Sequence, residues 1–188
     1  MNSLVSIKDL PYHTVEWLLQ NAESFAQYNG GALQRGTVVN LFFEPSTRTG
    51  LSFQMASHRL GLEIMDFSIE GSSIKKGESL QDTLETLDAL GVDIAIIRRG
   101  DNWPAQLNLA KLRMSVVNAG SGIFEHPTQA LLDALTIKQH FGRLQNLKVT
   151  IVGDIRHSRV ARSNVELLTK MGAEIYFAGK RMAVSPPD

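Results

Sequence analysis

The segment Val38-Val39-Asn40-Leu41-Phe42-Phe43-Glu44-Pro45-Ser46-Thr47-Arg48-Thr49-Gly50 leads an apolar strand directly into a turn that is rich in hydroxyl groups and contains one arginine. The apolar run ends at Pro45, and helical spacing then relates Leu51, Met55, His58 and Arg59. We therefore predict a strand followed by a helix whose first turn carries Ser46 to Thr49.

That first turn is suited to hold an anion. The first four backbone N–H groups of a helix have no partner within the helix, and the positive end of the helix dipole favours a phosphate. Arg48 adds a permanently charged group that can bind phosphate through two hydrogen bonds, which a lysine cannot reproduce. The alternative interpretation is that Ser46 and Thr47 only cap the helix and that Arg48 lies in solvent.

Three segments together resemble a known family. Residues 42–49, FFEPSTRT, closely resemble the carbamoyl-phosphate signature of the aspartate and ornithine carbamoyltransferases. Residues 126–133, HPTQALLD, resemble the second block of that family, and residues 153–163, GDIRHSRVARS, resemble a third. Glu44 and Thr128 resemble the aspartate enzymes, because the ornithine enzymes tend to carry Lys and Cys there. The resemblance implies a catalytic chain of the aspartate branch.

Composition agrees with an intracellular enzyme. The 188 residues are 43% hydrophobic and 20% charged, enough to bury a core in one or two domains. The formal net charge is zero, which argues against a nucleic-acid surface. No cysteine is present, so neither a disulfide framework nor a Cys-type zinc site is expected. No leader and no membrane span are predicted, and the cytoplasm is the expected location.

Helical and strand patterns alternate along the chain, which predicts an α/β fold of parallel sheets flanked by helices. The resemblance implies two doubly wound domains, with 1–130 binding carbamoyl phosphate and 131–188 forming part of an aspartate-binding domain, linked by a helix at about 128–140. Strands are predicted at 37–42, 62–67, 93–97, 115–118, 148–152 and 174–178. Helices are predicted from about residue 15 to near Gly30, from residue 46, and at 78–90, 104–114, 128–140 and 158–171.

The strand, helix and strand at 148–178 are half of a doubly wound domain and leave one face of the sheet short of cover. Members of the family continue well past this point, with further residues for aspartate and a last helix that packs on the first domain. We therefore expect a truncated chain in which the second domain is incomplete.

The resemblance implies a reaction in which the amino group of L-aspartate attacks carbamoyl phosphate, giving N-carbamoyl-L-aspartate and phosphate in an early step of pyrimidine synthesis. Such a site must position two anions and stabilise charge on oxygen. The family match assigns the phosphate to Ser46, Thr47, Arg48 and Thr49, the phosphate and carbonyl oxygen to Arg98, the carbonyl oxygen to His126, the carbamoyl NH2 to Gln129, and a carboxylate of aspartate to Arg159. Arg156 and Arg162 are alternatives to Arg159. Arg48, Thr49, Arg98 and His126 are the predicted catalytic residues.

Residues 72–78, SSIKKGE, read as a polar loop. By resemblance this loop reaches into the site of a neighbouring subunit, where Ser72 and Lys76 contact carbamoyl phosphate and Lys76 also contacts aspartate. The resemblance therefore implies a homotrimer with shared active sites, and it leaves open a regulatory chain or a dihydroorotase as a further partner.

Other chemistries find little support in the sequence. No nucleotide-binding glycine motif or nucleophile elbow is present, and the five histidines lack metal-ligand spacing. We therefore expect no cofactor and no metal. Two alternatives stay open: an ornithine or other carbamoyltransferase, and a non-catalytic assembly chain that binds carbamoyl phosphate without turnover.

Overall fold

The computed structural model describes residues 3–25, 36–65, 67–69 and 77–179. The helices are α1 (Tyr12–Phe25), α2 (Thr47–Leu60), α3 (Leu80–Ala89), α4 (Pro127–Phe141) and α5 (Arg159–Lys170). The strands are β1 (Thr37–Phe42), β2 (Glu63–Met65), β3 (Ile94–Arg99), β4 (Ser115–Ser121), β5 (Lys148–Val152) and β6 (Glu174–Ala178).

The strands form two parallel sheets. The first has the order β2-β1-β3-β4, and the second pairs β5 with β6. Near the start of the chain, Leu4 pairs in parallel with Val117, so the first residues extend the first sheet beyond β4. The predicted α/β fold of parallel sheets flanked by helices is confirmed.

Helices cover both faces of the first sheet because successive residues of a strand point to opposite faces. Val39 and Leu41 of β1 are fully buried in the core that contains Leu84 of α3. Val38 faces the other way, into the core that Phe53 of α2 contacts. Each fully buried side chain of this kind contributes roughly 1.5–3 kcal/mol.

A third core joins the N-terminal segment and α1 to α4, α5 and the second sheet. Its buried members include Ile7, Leu10, Val15, Leu19, Ala130, Ala134, Leu167 and Leu168. On the far face of the second sheet, Val152 is 76% and Tyr176 47% exposed, so the described residues leave that face open. The open face agrees with the predicted lack of cover.

Most element boundaries agree with the patterns that predicted them. β1, β5 and β6 have the predicted bounds, and β2 is shorter than predicted. α2 ends at Leu60 and is capped by Gly61, whose φ of 77° is readily adopted by glycine; the Gly61 N–H donates to the carbonyl of His58 and the Leu62 N–H to that of Ser57. The predicted end of the first helix near Gly30 lies outside the described residues.

The predicted helix at 104–114 is wrong. Two short 3-10 helices, Trp103–Gln106 and Leu109–Lys111, replace it, separated by the extended Leu107. Asn108 causes the break because its side chain accepts from the N–H of Ala110, a local bond that competes with helical pairing.

Within the part of the chain that the structure describes, no helix is long and apolar enough to cross a membrane.

Candidate anion site at the edge of the first sheet

The hydroxyl-rich turn after β1 opens α2 as the sequence predicts. Ser46 is the N-cap residue, with φ −156° and ψ 93°, but its side chain makes no capping hydrogen bond. Thr47 and Arg48 are exposed and Thr49 is half-buried. The hydroxyl of Ser46 is thus not used as a cap, which disfavours the interpretation of the motif as a cap alone.

Two predicted arginines meet at one carboxylate. Arg98 lies near the end of β3 and Arg159 is the first residue of α5, in the second half of the chain. Glu44 Oε2 lies 3.5 Å from Arg98 Nε and 3.4 Å from Arg159 Nη1. Arg159 also donates to the carbonyl of Gly122 at 2.9 Å. The site therefore joins the loop after β1 to the start of α5.

The guanidinium group of Arg98 is mostly removed from solvent, with 13% of its side chain exposed. Its Nη1 donates to the carbonyl of Ala119 at 3.4 Å, and its buried Nε makes no hydrogen bond to the residues that the structure describes. Burial, together with the charge of Arg159, lowers the pKa of Arg98, and Glu44 opposes that shift. An additional anion would relieve the repulsion between the two arginines.

Gly120 allows the two arginines to come close. Its φ is 130°, and a Cβ atom at this position would lie 3.4 Å from Arg98 Nη1 and 3.4 Å from Arg159 Nη1. Any larger residue would be strained by the backbone and crowded by both guanidinium groups. The positively charged guanidinium groups of Arg98 and Arg159 therefore both lie close to Gly120.

His126 closes the site on the side of α4. It precedes α4 as the N-cap residue, is only 6% exposed, and donates its backbone N–H to Ser163 Oγ of α5 at 2.8 Å. Its Nδ1 lies 3.4 Å from Thr128 Oγ1. A hydroxyl that donates to Nδ1 leaves the ring proton on Nε2, the tautomer that can donate to a ligand oxygen.

The imidazole of His126 is uncharged at neutral pH. Burial is the largest cause that lowers its pKa, to about 4, followed by the positive charges of Arg98 and Arg159; Asp133 acts in the opposite direction. Because both arginines affect this ring, His126 shares their electrostatic environment. It can therefore serve as a neutral hydrogen-bond donor beside two fixed positive charges.

The other predicted residues lie in three different parts of the chain. Gln129 lies in the first turn of α4, and its Nε2 donates to Asp133 Oδ1 at 2.9 Å. Arg156 and Arg162 are exposed and contact each other, with Arg162 Nη2 donating to the Arg156 carbonyl at 3.0 Å. Arg159 is thus the arginine of this motif that meets Arg98 and Glu44. Ser72 and Lys76 lie outside the described residues.

Sequence reasoning did not assign Glu44 or Gly120 to the site. In the first motif, Glu44 lies between the strand and the hydroxyl residues. This position was the one feature of the sequence that could have assigned Glu44 to the site. Its two arginine partners are 54 and 115 residues away along the chain, and nothing local predicts that they converge. Gly120 precedes the second block, where a glycine is a common loop residue.

The fold and the site define an α/β protein that holds buried positive charge at the carboxyl edge of a parallel sheet, where open α/β sheets bind ligands. The carbamoyl-phosphate binding domain model of aspartate/ornithine carbamoyltransferases matches residues 2–139. The chain belongs to the aspartate/ornithine carbamoyltransferase family.

Curated relatives and solved structures agree with this family. The aspartate carbamoyltransferase catalytic subunit of Listeria welshimeri is 48% identical over 183 residues, which are 96% of this chain and 60% of the relative. The aspartate transcarbamoylase of Trypanosoma cruzi in complex with N-(phosphonacetyl)-L-aspartic acid matches with a TM-score of 0.85 and 32% identity, covering 94% of this chain and 59% of that one. The catalytic subunit of the M. jannaschii enzyme matches with a TM-score of 0.86 and 33% identity, covering 99% and 63%. The chain therefore spans about 60% of the length of the curated relatives it matches.

Proposed function

We propose that this chain binds carbamoyl phosphate and contributes to the transfer of its carbamoyl group to L-aspartate, as part of pyrimidine synthesis. The observation that carries the proposal is the convergence of Arg98 and Arg159 on Glu44, in the loop that leads into the hydroxyl-rich first turn of α2, with the neutral His126 close enough to feel both charges. The names of the relatives support aspartate rather than ornithine as the acceptor.

In the proposed reaction the amino nitrogen of aspartate attacks the carbamoyl carbon. The new N–C bond forms while the C–O bond to phosphate breaks, the bonding electrons leave with the phosphate, and a proton is lost from the amine. Negative charge develops on the carbonyl oxygen and on the leaving phosphate. Arg98 and His126 would stabilise the carbonyl oxygen, and Arg48 would stabilise the leaving group.

The remaining residues are assigned either to the phosphate or to aspartate. Ser46, Thr47 and Thr49 would hold the phosphate with Arg48, while Arg159 would bind a carboxylate of aspartate. Glu44 occupies both guanidinium groups in the present structure. Incoming anions would compete with Glu44 for them.

We also propose a cytoplasmic homotrimer in which Ser72 and Lys76 complete the site of a neighbouring subunit. Residues 1–130 would form the carbamoyl-phosphate domain and residues 131–188 part of the aspartate domain. These proposals rest on the family resemblance, as does a possible association with a regulatory chain or a dihydroorotase.

Calorimetric titration of the 188-residue chain with carbamoyl phosphate tests the first half of this function. Arg48→Ala should abolish binding, whereas Arg143→Ala, which changes an exposed arginine after α4, should not. In turnover, loss of one donor of this kind typically costs about 3 kcal/mol of transition-state stabilisation, roughly a hundredfold in rate. Absence of binding by the folded wild-type chain would refute the proposed carbamoyl-phosphate site.

Addition of aspartate to the loaded chain tests the second half. Formation of a ureido product with aspartate, but not with ornithine, would support the full reaction. A ureido product with ornithine alone would assign the chain to the other branch of the family. Binding without product would identify a chain that binds carbamoyl phosphate but does not turn it over alone.

A further inference from the structure

Asp133 is shared by the side-chain amides of two helices. Gln129 Nε2, one turn earlier on α4, donates to Asp133 Oδ1 at 2.9 Å. Asn164 Nδ2 of α5 donates to Asp133 Oδ2 at 2.7 Å, and Asn164 is only 8% exposed. Each carboxylate oxygen of Asp133 therefore has its own amide donor.

This arrangement fixes which way both amides point. An ionised carboxylate can only accept hydrogen bonds, so each amide must present its NH2 group to Asp133 and turn its oxygen away. For Asn164 the consequence is unfavourable, because its Oδ1 is buried and has no partner among the described residues. The carboxylate, rather than the needs of the amides, thus sets their orientation.

For Gln129 the same constraint leaves an acceptor free. Its Oε1 accepts no hydrogen bond from residues 3–25, 36–65, 67–69 or 77–179. Gln129 lies three residues after His126, on the first turn of α4 beside the site. Gln129 Oε1 could accept a hydrogen bond from an N–H group of a ligand bound at the site. It could not bind an ionised phosphate oxygen, which is itself only an acceptor.

We infer that Asp133 is a positioning residue that holds the Gln129 amide with Oε1 presented to the NH2 of a carbamoyl group. The inference deepens the proposed function and rests on it. Asp133 would then determine the preference of the site for carbamoyl phosphate over acetyl phosphate, which carries a methyl group in place of NH2, and over inorganic phosphate. A site built to hydrogen-bond an N–H group rejects ligands that lack it.

The test is calorimetric titration of the 188-residue chain with carbamoyl phosphate, acetyl phosphate and inorganic phosphate. In Asp133→Asn the new amide can donate, so the Gln129 amide is free to turn over. We expect this variant to bind carbamoyl phosphate about tenfold more weakly, the effect of one misplaced hydrogen bond, and to bind the other two ligands as wild type does. Asp133→Ser, whose hydroxyl can also donate, serves as the second variant should the first fail to fold.

Asn164→Ala is the matched control, because it removes the tie between the two helices but leaves the bond from Gln129 to Asp133 intact. It should keep the wild-type preference for carbamoyl phosphate. In a Gln129→Ala background, Asp133→Asn should have no further effect on that preference, since both changes remove the same contact.

The outcomes separate the inference from the function on which it rests. Equal weakening for all three ligands in Asp133→Asn, an unchanged preference, or an equal loss of preference in Asn164→Ala would overturn the positioning role. A wild-type chain that binds none of the three ligands would overturn the proposed function and the inference with it.

Discussion

At the scale of single residues, the Glu44 carboxylate contacts the two arginines that the site would offer to an anionic ligand. It contacts Arg98 and Arg159 at 3.5 and 3.4 Å, and its side chain is 33% exposed. Glu44→Gln removes the competing negative charge while keeping the shape of the side chain. We expect inorganic phosphate to bind about fivefold more tightly, equivalent to roughly 1 kcal/mol, in calorimetric titration at low ionic strength.

The control for this prediction is Glu63→Gln, which removes an exposed carboxylate from β2 and changes the net charge equally. It should leave phosphate affinity unchanged. Weaker phosphate binding in Glu44→Gln would mean that the carboxylate orients the arginines more than it competes for them.

The buried imidazole of His126 predicts a specific loss of stability in acid. Its pKa lies at about 4 in the folded chain, below the ordinary value of 6.5 for histidine. As the pH falls, the unfolded state therefore takes up a proton first, so the contribution is fully present above about pH 6.5 and is lost between about 6.5 and 4. From this residue alone we expect the free energy of unfolding to fall by about 2 kcal/mol between pH 7 and pH 5.

Urea denaturation of wild type and His126→Gln at both pH values isolates this effect. The variant lacks the titrating group but keeps every other carboxylate and histidine, so the difference between the two chains should shrink by about 2 kcal/mol at pH 5. Parallel losses of stability in the two chains would show that His126 is not held neutral by its surroundings.

The sequence could predict the parts of the site that depend on residues close together in the chain, but not the parts that depend on contacts between distant residues. The first turn of α2 was predictable, because Ser46 to Thr49 directly follow a strand and precede helical spacing. The orientation of Gln129 and the role of Glu44 were not, since they depend on Asp133, Arg98 and Arg159 in three dimensions. Family resemblance supplied the names of the arginines but not the carboxylate between two of them.

At the scale of elements, Lys170 fastens the N-terminal segment to the end of α5. Its Nζ donates to the carbonyls of Ile7 at 2.7 Å, Leu10 at 2.8 Å and Lys8 at 3.3 Å. Lys170→Met keeps much of the aliphatic packing but leaves these carbonyls without the ammonium group. We expect the free energy of unfolding to fall by about 1–3 kcal/mol, measured by urea denaturation.

Lys148→Met is the control, because Lys148 is an exposed residue at the start of β5. Its loss should change stability by less than about 0.5 kcal/mol, as expected for a surface substitution. Equal effects of the two substitutions would refute a special role for the Lys170 ammonium group.

The local sequence pattern was sufficient to predict an element where tertiary contacts favour the same structure as that pattern. β5 and β6 alternate or run apolar between turn residues, and both have the predicted bounds. The segment at 104–114 differs because Trp103 must be fully buried, with its Nε1 donating to the carbonyl of Gly120 at 3.4 Å. This tertiary contact and the side-chain turn at Asn108 override a helical spacing that the sequence alone favours.

At the scale of the whole molecule, the N-terminal segment connects the two halves of the chain through the neighbour of His126. Leu4 pairs with β4, and Glu125 accepts from Ser6 Oγ at 2.6 Å and from the Ile7 N–H at 2.9 Å. Lys170 holds the same segment from the other side. The position of His126 therefore depends on contacts from the first sheet and from α5, which explains how a site can be built from residues so far apart in the sequence.

The proposed trimer makes a quantitative prediction about mixed assemblies. If Arg48 and Lys76 of one site come from different subunits, a trimer that mixes Arg48→Ala and Lys76→Ala subunits regains one intact site, about a third of the wild-type stoichiometry. Coexpression with two different affinity tags yields such mixed trimers, and calorimetry counts the sites that bind carbamoyl phosphate. Mixed trimers of Arg48→Ala and His126→Ala are the control and should regain none, because both residues would belong to one subunit. Failure of the first mixture to regain a site, or recovery of one by the second, would refute the proposed sharing of residues between subunits.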